Sequence, residues 1–217
     1  MPSKERNGQR QSRDFRIRRL PRLGYYLIFT DTRETEKNYL EGLKQFLPIE
    51  IRDNIVIKVK KTSTDNLIQA CLNDRSIDPQ FRETWIIFDR DQVHNFDKII
   101  KEAEDNDINV AWSNPCLEIW FSAYFGKMPN CENSTKCLDL FKNVFKQKTC
   151  MRYEKEDTKI YKKLIEFGNE STAIKIAQQK HQFFYDANKN CKPSEMYPCT
   201  TLFKLVAEIK GKDIGYS

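Results

Sequence analysis

Between residues 24 and 125 the chain alternates between two hydrophobic periods. Tyr25-Tyr26-Leu27-Ile28-Phe29 is an unbroken apolar run behind Pro21 and Gly24, the pattern of a strand buried on both faces. Residues 35–46 then place Tyr39, Leu40, Leu43 and Phe46 at helical spacing, and Pro48 closes that helix. Residues 54–59 read as a second strand. Thr62-Ser63-Thr64-Asp65 resembles a capping box and opens a helix carrying Leu67, Ile68, Cys71 and Leu72. A third strand runs through Trp85-Ile86-Ile87-Phe88 and stops abruptly at Asp89-Arg90-Asp91. Phe96, Ile99, Ile100 and Ala103 mark an amphipathic helix over 95–105, and residues 108–112 form a fourth strand. Asn114 then fits an N-cap, with Pro115 at the first position of a helix over 116–124.

The order β-α-β-α-β-α-β-α predicts an α/β fold: a parallel, right-handed βαβ sheet of about four strands flanked by helices. After Lys127 the strand signals stop. Residues 134–146, 157–167, 170–189 and 199–210 all read as helices, giving a helical C-terminal extension. The expected organisation is an arm over 1–22, an α/β domain over 23–126 and the extension over 127–217.

Charge sharpens the picture at one end. Residues 1–22 hold eight basic residues against two acids, so the arm alone carries the whole formal net charge of +6. An Arg-rich polar arm is suited to gripping phosphates, with Arg13, Arg16, Arg18, Arg19 and Arg22 as the expected nucleic-acid contacts; a solvated tail is the plain alternative. With 39% hydrophobic residues the chain can build a real core. No apolar run approaches a membrane span. Seven cysteines without a C-x-x-C pair, and two histidines without a ligand partner at finger spacing, argue against a structural zinc site and for reduced thiols in a cytoplasmic protein.

The candidate chemistry lies at the strand ends. In a parallel sheet these share one rim, where open α/β sheets place their ligand crevice. Asp31 follows the first strand, with Glu34 and Glu36 in the next turn; Asp89 and Asp91 end the third; Glu118 follows the fourth. Converging carboxylates suit Mg²⁺ or Mn²⁺, which take hard oxygen ligands and can activate water against a phosphodiester. A strand ending in a polar turn is the bland alternative. Lys58, Lys60 and Lys61 end the second strand and could hold a scissile phosphate or form a solvated strand end. No glycine-rich phosphate loop of the Walker type is present.

Thr35-Glu36-Lys37-Asn38-Tyr39, Phe88-Asp89-Arg90-Asp91 and Ser113-Asn114-Pro115-Cys116-Leu117-Glu118-Ile119-Trp120 resemble the three signature blocks of the RloB family. The resemblance implies a Toprim-like domain with a helical appendage, found in bacterial defence loci often beside an ATPase. It implies a divalent-metal-dependent nuclease acting on DNA or RNA. Asp31, Glu36 and Glu118 would be catalytic, and Asp31, Asp89 and Asp91 would be metal ligands. Asp31-Thr32 stands where the family's first block usually reads Glu-Gly. That departure favours a second reading, a non-catalytic Toprim-like module binding an ATPase partner or nucleic acid.

Overall fold

The computed structural model describes residues 26–30, 34–60, 63–77, 83–91, 93–131 and 133–211. Five strands form one sheet: β1 (Tyr26–Thr30), β2 (Ile55–Val59), β3 (Glu83–Asp89), β4 (Asn109–Asn114) and β5 (Cys199–Thr200), in the order β2-β1-β3-β4-β5. The first four are mutually parallel, and β5 runs antiparallel to β4.

Among the described residues the helices are α1 (Thr35–Gln45), α2 (Ile49–Arg52), α3 (Thr64–Ile77), α4 (Phe96–Asp105), α5 (Glu118–Tyr124), α6 (Ser134–Thr149), α7 (Ile160–Phe167), α8 (Glu170–Ala187) and α9 (Leu202–Ile209). None is long and apolar enough to cross a membrane. All seven cysteines are free thiols.

The apolar runs at β1 and β3 are buried because the sheet is covered on both faces. Alternate side chains point to opposite sides. Tyr26, Ile28, Trp85, Ile87 and Ala111 enter a core with residues of α1, α5, α6, α7, α8 and α9. Leu27, Phe29, Ile86, Phe88 and Trp112 enter a second core with residues of α3 and α4. The helical period that identified α4 buries Phe96, Ile99, Ile100 and Ala103 against this second face. On the first face, Gly42 lets α1 meet α7 closely: a Cβ there would lie 2.5 Å from the Tyr161 Cβ. A buried polar chain also crosses this side. The Tyr39 and Tyr124 hydroxyls lie 2.9 Å apart, and Tyr161 and Lys210 each donate to Glu170, at 2.8 and 2.7 Å.

Two local expectations are corrected. The helix expected over 199–210 begins at Leu202, because the preceding residues form β5. The threonines there serve the edge of β4: Thr200 Oγ1 donates to Trp112 O, while Thr201 Oγ1 accepts from Trp112 N and donates to Val110 O. The sheet therefore gains a fifth strand from the helical extension. Asn114 is not the N-cap of α5. It is the last residue of β4 and fully buried, its side chain serves a distant segment, and α5 begins at Glu118.

His181 of α8 packs near Trp112 and Phe203, with ring centroids 6.5 and 6.0 Å away. Burial, helped by the Lys204 charge, pushes its pKa down to about 4 from 6.5. The unfolded chain thus binds more protons than the folded one between those values, so stability falls as pH drops through that interval. Relative to wild type, a His181→Gln variant should show a shallower fall in melting temperature between pH 6.5 and about 4. Parallel profiles would exclude His181 as a source of the acid sensitivity.

Candidate active site at the carboxyl rim

The site grows out of the ends of β3 and β4. Asp89 pairs in register with Ser113. Beyond the sheet the two chains stay together: Arg90 N donates to Ser113 O at 2.8 Å, and Asp91 N donates to Pro115 O at 3.2 Å. The 113–117 segment then turns back, and Leu117 N donates to Asp89 Oδ2 at 3.0 Å. A charge-assisted bond to a backbone amide fixes the half-buried Asp89 carboxylate more firmly than side-chain packing would. Asp91 is exposed.

Asn114 holds this turn in place. Its Nδ2 donates to Pro193 O and Ser194 O, both at 3.2 Å, and to Met196 O at 2.8 Å. Its Oδ1 accepts from Arg90 Nη1 at 3.4 Å. Nearby, Ser194 N and Oγ donate to Asp97 at 2.8 and 2.6 Å, tying the same segment to α4.

Glu118 and Glu36 come together in the interior. They are 2% and 4% exposed, at the starts of α5 and α1. The Tyr153 hydroxyl donates to Glu118 Oε1 at 3.1 Å. Burial pushes the Tyr153 phenol far above its usual pKa, the Glu118 charge and hydrogen bond add to this, and Glu36 adds again. Tyr153 is therefore a permanently neutral donor set among buried carboxylates. Its ring is held by Phe141, Phe145 and Phe121, the closest centroid being 4.7 Å away. Thr35 Oγ1 donates to Lys155 O at 3.4 Å, linking the start of α1 to the Tyr153 segment.

Cys116 sits beside the rim in a buried thiol group. Cys137 hydrogen-bonds both Cys116 and Cys131, and the Tyr197 hydroxyl lies 3.9 Å from the Cys131 sulfur. The Cys116 thiol is pushed far up by its hydrogen bond to Cys137 and by burial. Burial raises Cys131 to about 12, so both stay protonated. His94 is exposed before α4.

The structure thus joins Asp89 to the α5 turn and gathers Glu36 and Glu118 around Tyr153. Asp31, Arg13, Arg16, Arg18, Arg19 and Arg22 lie outside the described residues. Among the described residues no group of three or more His, Cys, Asp and Glu is arranged to hold a metal ion. Asp89 and Asp91 do have the hard oxygen donors that Mg²⁺ or Mn²⁺ takes. Sequence reasoning missed Tyr153, which lies in an irregular, highly charged stretch with no periodic signal. It also missed the stretch around 193–196 that receives Asn114.

The model of the RloB-like protein family matches residues 26–209. The chain belongs to that family. The match spans every strand and helix described above, from β1 to the end of α9. The mostly parallel sheet with helices on both faces is consistent with a Toprim-like fold. No curated protein and no solved structure matches this RloB-like chain.

Tyr153→Phe leaves the buried Glu118 carboxylate without its phenol donor. Losing a hydrogen bond to a buried charged group costs about 1–3 kcal/mol. Each kcal/mol lowers the melting temperature of a domain this size by roughly 2–4 °C. The loss should shrink in a Glu118→Gln background, as a double-mutant cycle would show. Equal melting temperatures for Tyr153→Phe and wild type would mean that other groups hold the carboxylate.

Proposed function

We propose that this RloB-like chain is a divalent-metal-dependent nuclease of a bacterial defence system, hydrolysing phosphodiester bonds of DNA or RNA with a partner ATPase. The observation that carries the reading is the Asp89 carboxylate, oriented by the Leu117 amide on the rim where four parallel strands end. Asp89 and Asp91, with Asp31, would hold Mg²⁺ or Mn²⁺, which when bound supplies an activated water and stabilises the leaving oxygen.

The protein's own groups do the positioning. Leu117 N aims Asp89. Tyr153 holds Glu118 beside Glu36, at the start of the helix whose preceding residue contacts Asp89. Under this reading the arginines of the N-terminal arm supply sequence-independent phosphate contacts. The partner ATPase rests on the family resemblance.

A second reading is favoured by two specific observations. Glu36 and Glu118 are turned into the interior, and Asp31 is a shorter carboxylate than the glutamate that the family's pattern carries. A Toprim-like module that binds nucleic acid or the ATPase without cutting would show the same features.

Metal binding and cleavage separate the two. Mg²⁺ or Mn²⁺ at 100 times its Kd contributes ~2.7 kcal/mol, a rise of roughly 5–10 °C in melting temperature. Asp89→Asn/Asp91→Asn should abolish that rise. Asp89→Ala should abolish cleavage with the fold intact. Wild-type protein that gains no thermal stability from either ion, and cuts neither DNA nor RNA with the ATPase present, would establish the binding-module reading.

A further inference from the structure

Strand β2 ends on the same rim as β3, separated from it by β1. The parallel ladder runs one residue past β2, where Lys60 N donates to Thr30 O at 2.9 Å. Lys58 and Lys60 are two positions apart, so their side chains leave the strand on one face. They converge on a single acceptor of α3: Lys58 Nζ lies 3.1 Å, and Lys60 Nζ 2.7 Å, from Asp74 Oδ2. The lysine side chains are 40% and 31% exposed, against 19% for Asp74. The Lys60 ammonium also lies 5.8 Å from the Phe29 ring centroid.

The charges do not balance. Two ammonium groups share one carboxylate oxygen, so the cluster keeps one net positive charge. Each ammonium has three N–H donors, and the bond to Asp74 needs only one from each. Burial acts to raise the Asp74 pKa, but the hydrogen bonds and charges of Lys60 and Lys58 outweigh it and hold the carboxylate ionised below its usual range. A solvent-exposed ion pair is worth only ~0–1 kcal/mol, and one lysine would have sufficed for it. The second brings a like charge into the same place. That cost is explained if an anion larger than a carboxylate comes here.

The position fits such an anion. Two strand intervals of ~4.8 Å separate β2 from β3, so the β2 backbone that carries the lysines lies about 10 Å from the Asp89 strand. A polyanionic strand lying across the rim at Asp89 would pass over β2.

We propose that Lys58 and Lys60 form a phosphate-binding step for a nucleic-acid strand crossing the carboxyl rim, and that Asp74 is the resident anion with which the phosphate competes. The proposal rests on the nucleic-acid reading of the rim but not on cleavage. Asp74 keeps the two ammonium groups together when no strand is bound, and its negative charge lowers affinity by repelling the incoming phosphate. A phosphate oxygen takes over donors that Asp74 has preorganised.

The test is binding of a labelled single-stranded oligonucleotide to the full chain in EDTA, where metal-dependent cleavage is off, as a function of salt. Lys58→Gln/Lys60→Gln should weaken binding and reduce the slope of log K against log salt by about 0.7 for each phosphate no longer neutralised. Asp74→Asn should act in the opposite direction, tightening binding roughly two- to fivefold. A merely structural ion pair predicts no gain from that change. If wild type binds and both variants keep its affinity and slope, the phosphate step is overturned while the nucleic-acid reading stands. Weaker binding by Asp74→Asn overturns the competing-anion role, and wild type that binds no oligonucleotide overturns both. Should Asp74→Asn fail to fold, the salt slope of the lysine variant decides alone.

Discussion

The Asn114 side chain is the constraint on which the rim depends. It is fully buried, and its two amide hydrogens are shared among the carbonyls of Pro193, Ser194 and Met196 while its oxygen accepts from Arg90. A buried amide without partners costs ~1–3 kcal/mol by mutational measures, so the position demands both donors and an acceptor. Fixing Asn114 fixes the 113–117 backbone. That backbone receives the amides of Arg90 and Asp91 and offers the Leu117 amide to Asp89. The orientation of the key aspartate is therefore set by main-chain geometry, which is stiffer than any set of rotamers.

The two buried glutamates follow a different logic. Carboxylates this deep are tolerated only with hydrogen-bond donors around them. Tyr153 provides one such donor and remains neutral because burial and the acids themselves oppose its ionisation. Glu118 and Glu36 lie buried at the starts of α5 and α1. By contrast, Asp91 is exposed and Asp89 half-buried.

The sequence made the scaffold legible because its signals are local. An apolar run such as 85–88 can be read without knowing its neighbours, and the period of α4 names its buried face directly. The pairing of β5 with β4 was not legible. Two residues carry no period, and the case for them lies in threonine hydroxyls that meet a strand edge 88 or more residues away in sequence. Asn114 misled for a related reason: Asn-Pro before an apolar stretch is a good helix start, and only the stretch around 193–196, some 80 residues on, shows where its amide is spent. The acids at 89, 91 and 118 were visible as residue types. That Glu118 would be claimed by a tyrosine was not, since the Tyr153 segment resembles any charged loop. Asp74 was likewise hidden, because its tie to Lys58 and Lys60 crosses from helix to strand.

The reach from Asn114 to Met196, 82 residues, also sets an order of events on the ribosome. At ~5–20 residues per second, roughly 4–16 s separate the synthesis of the fourth strand from that of the carbonyls it requires. During that interval the nascent chain can pair its four parallel strands, but it lacks the brace that closes the loop over Asp89. A chain released early, anywhere before residue 193, would keep its acidic residues and lose their alignment. An enzyme that cuts nucleic acid is dangerous to the cell that makes it. On the nuclease reading, synthesis through residue 196 serves as the safety catch.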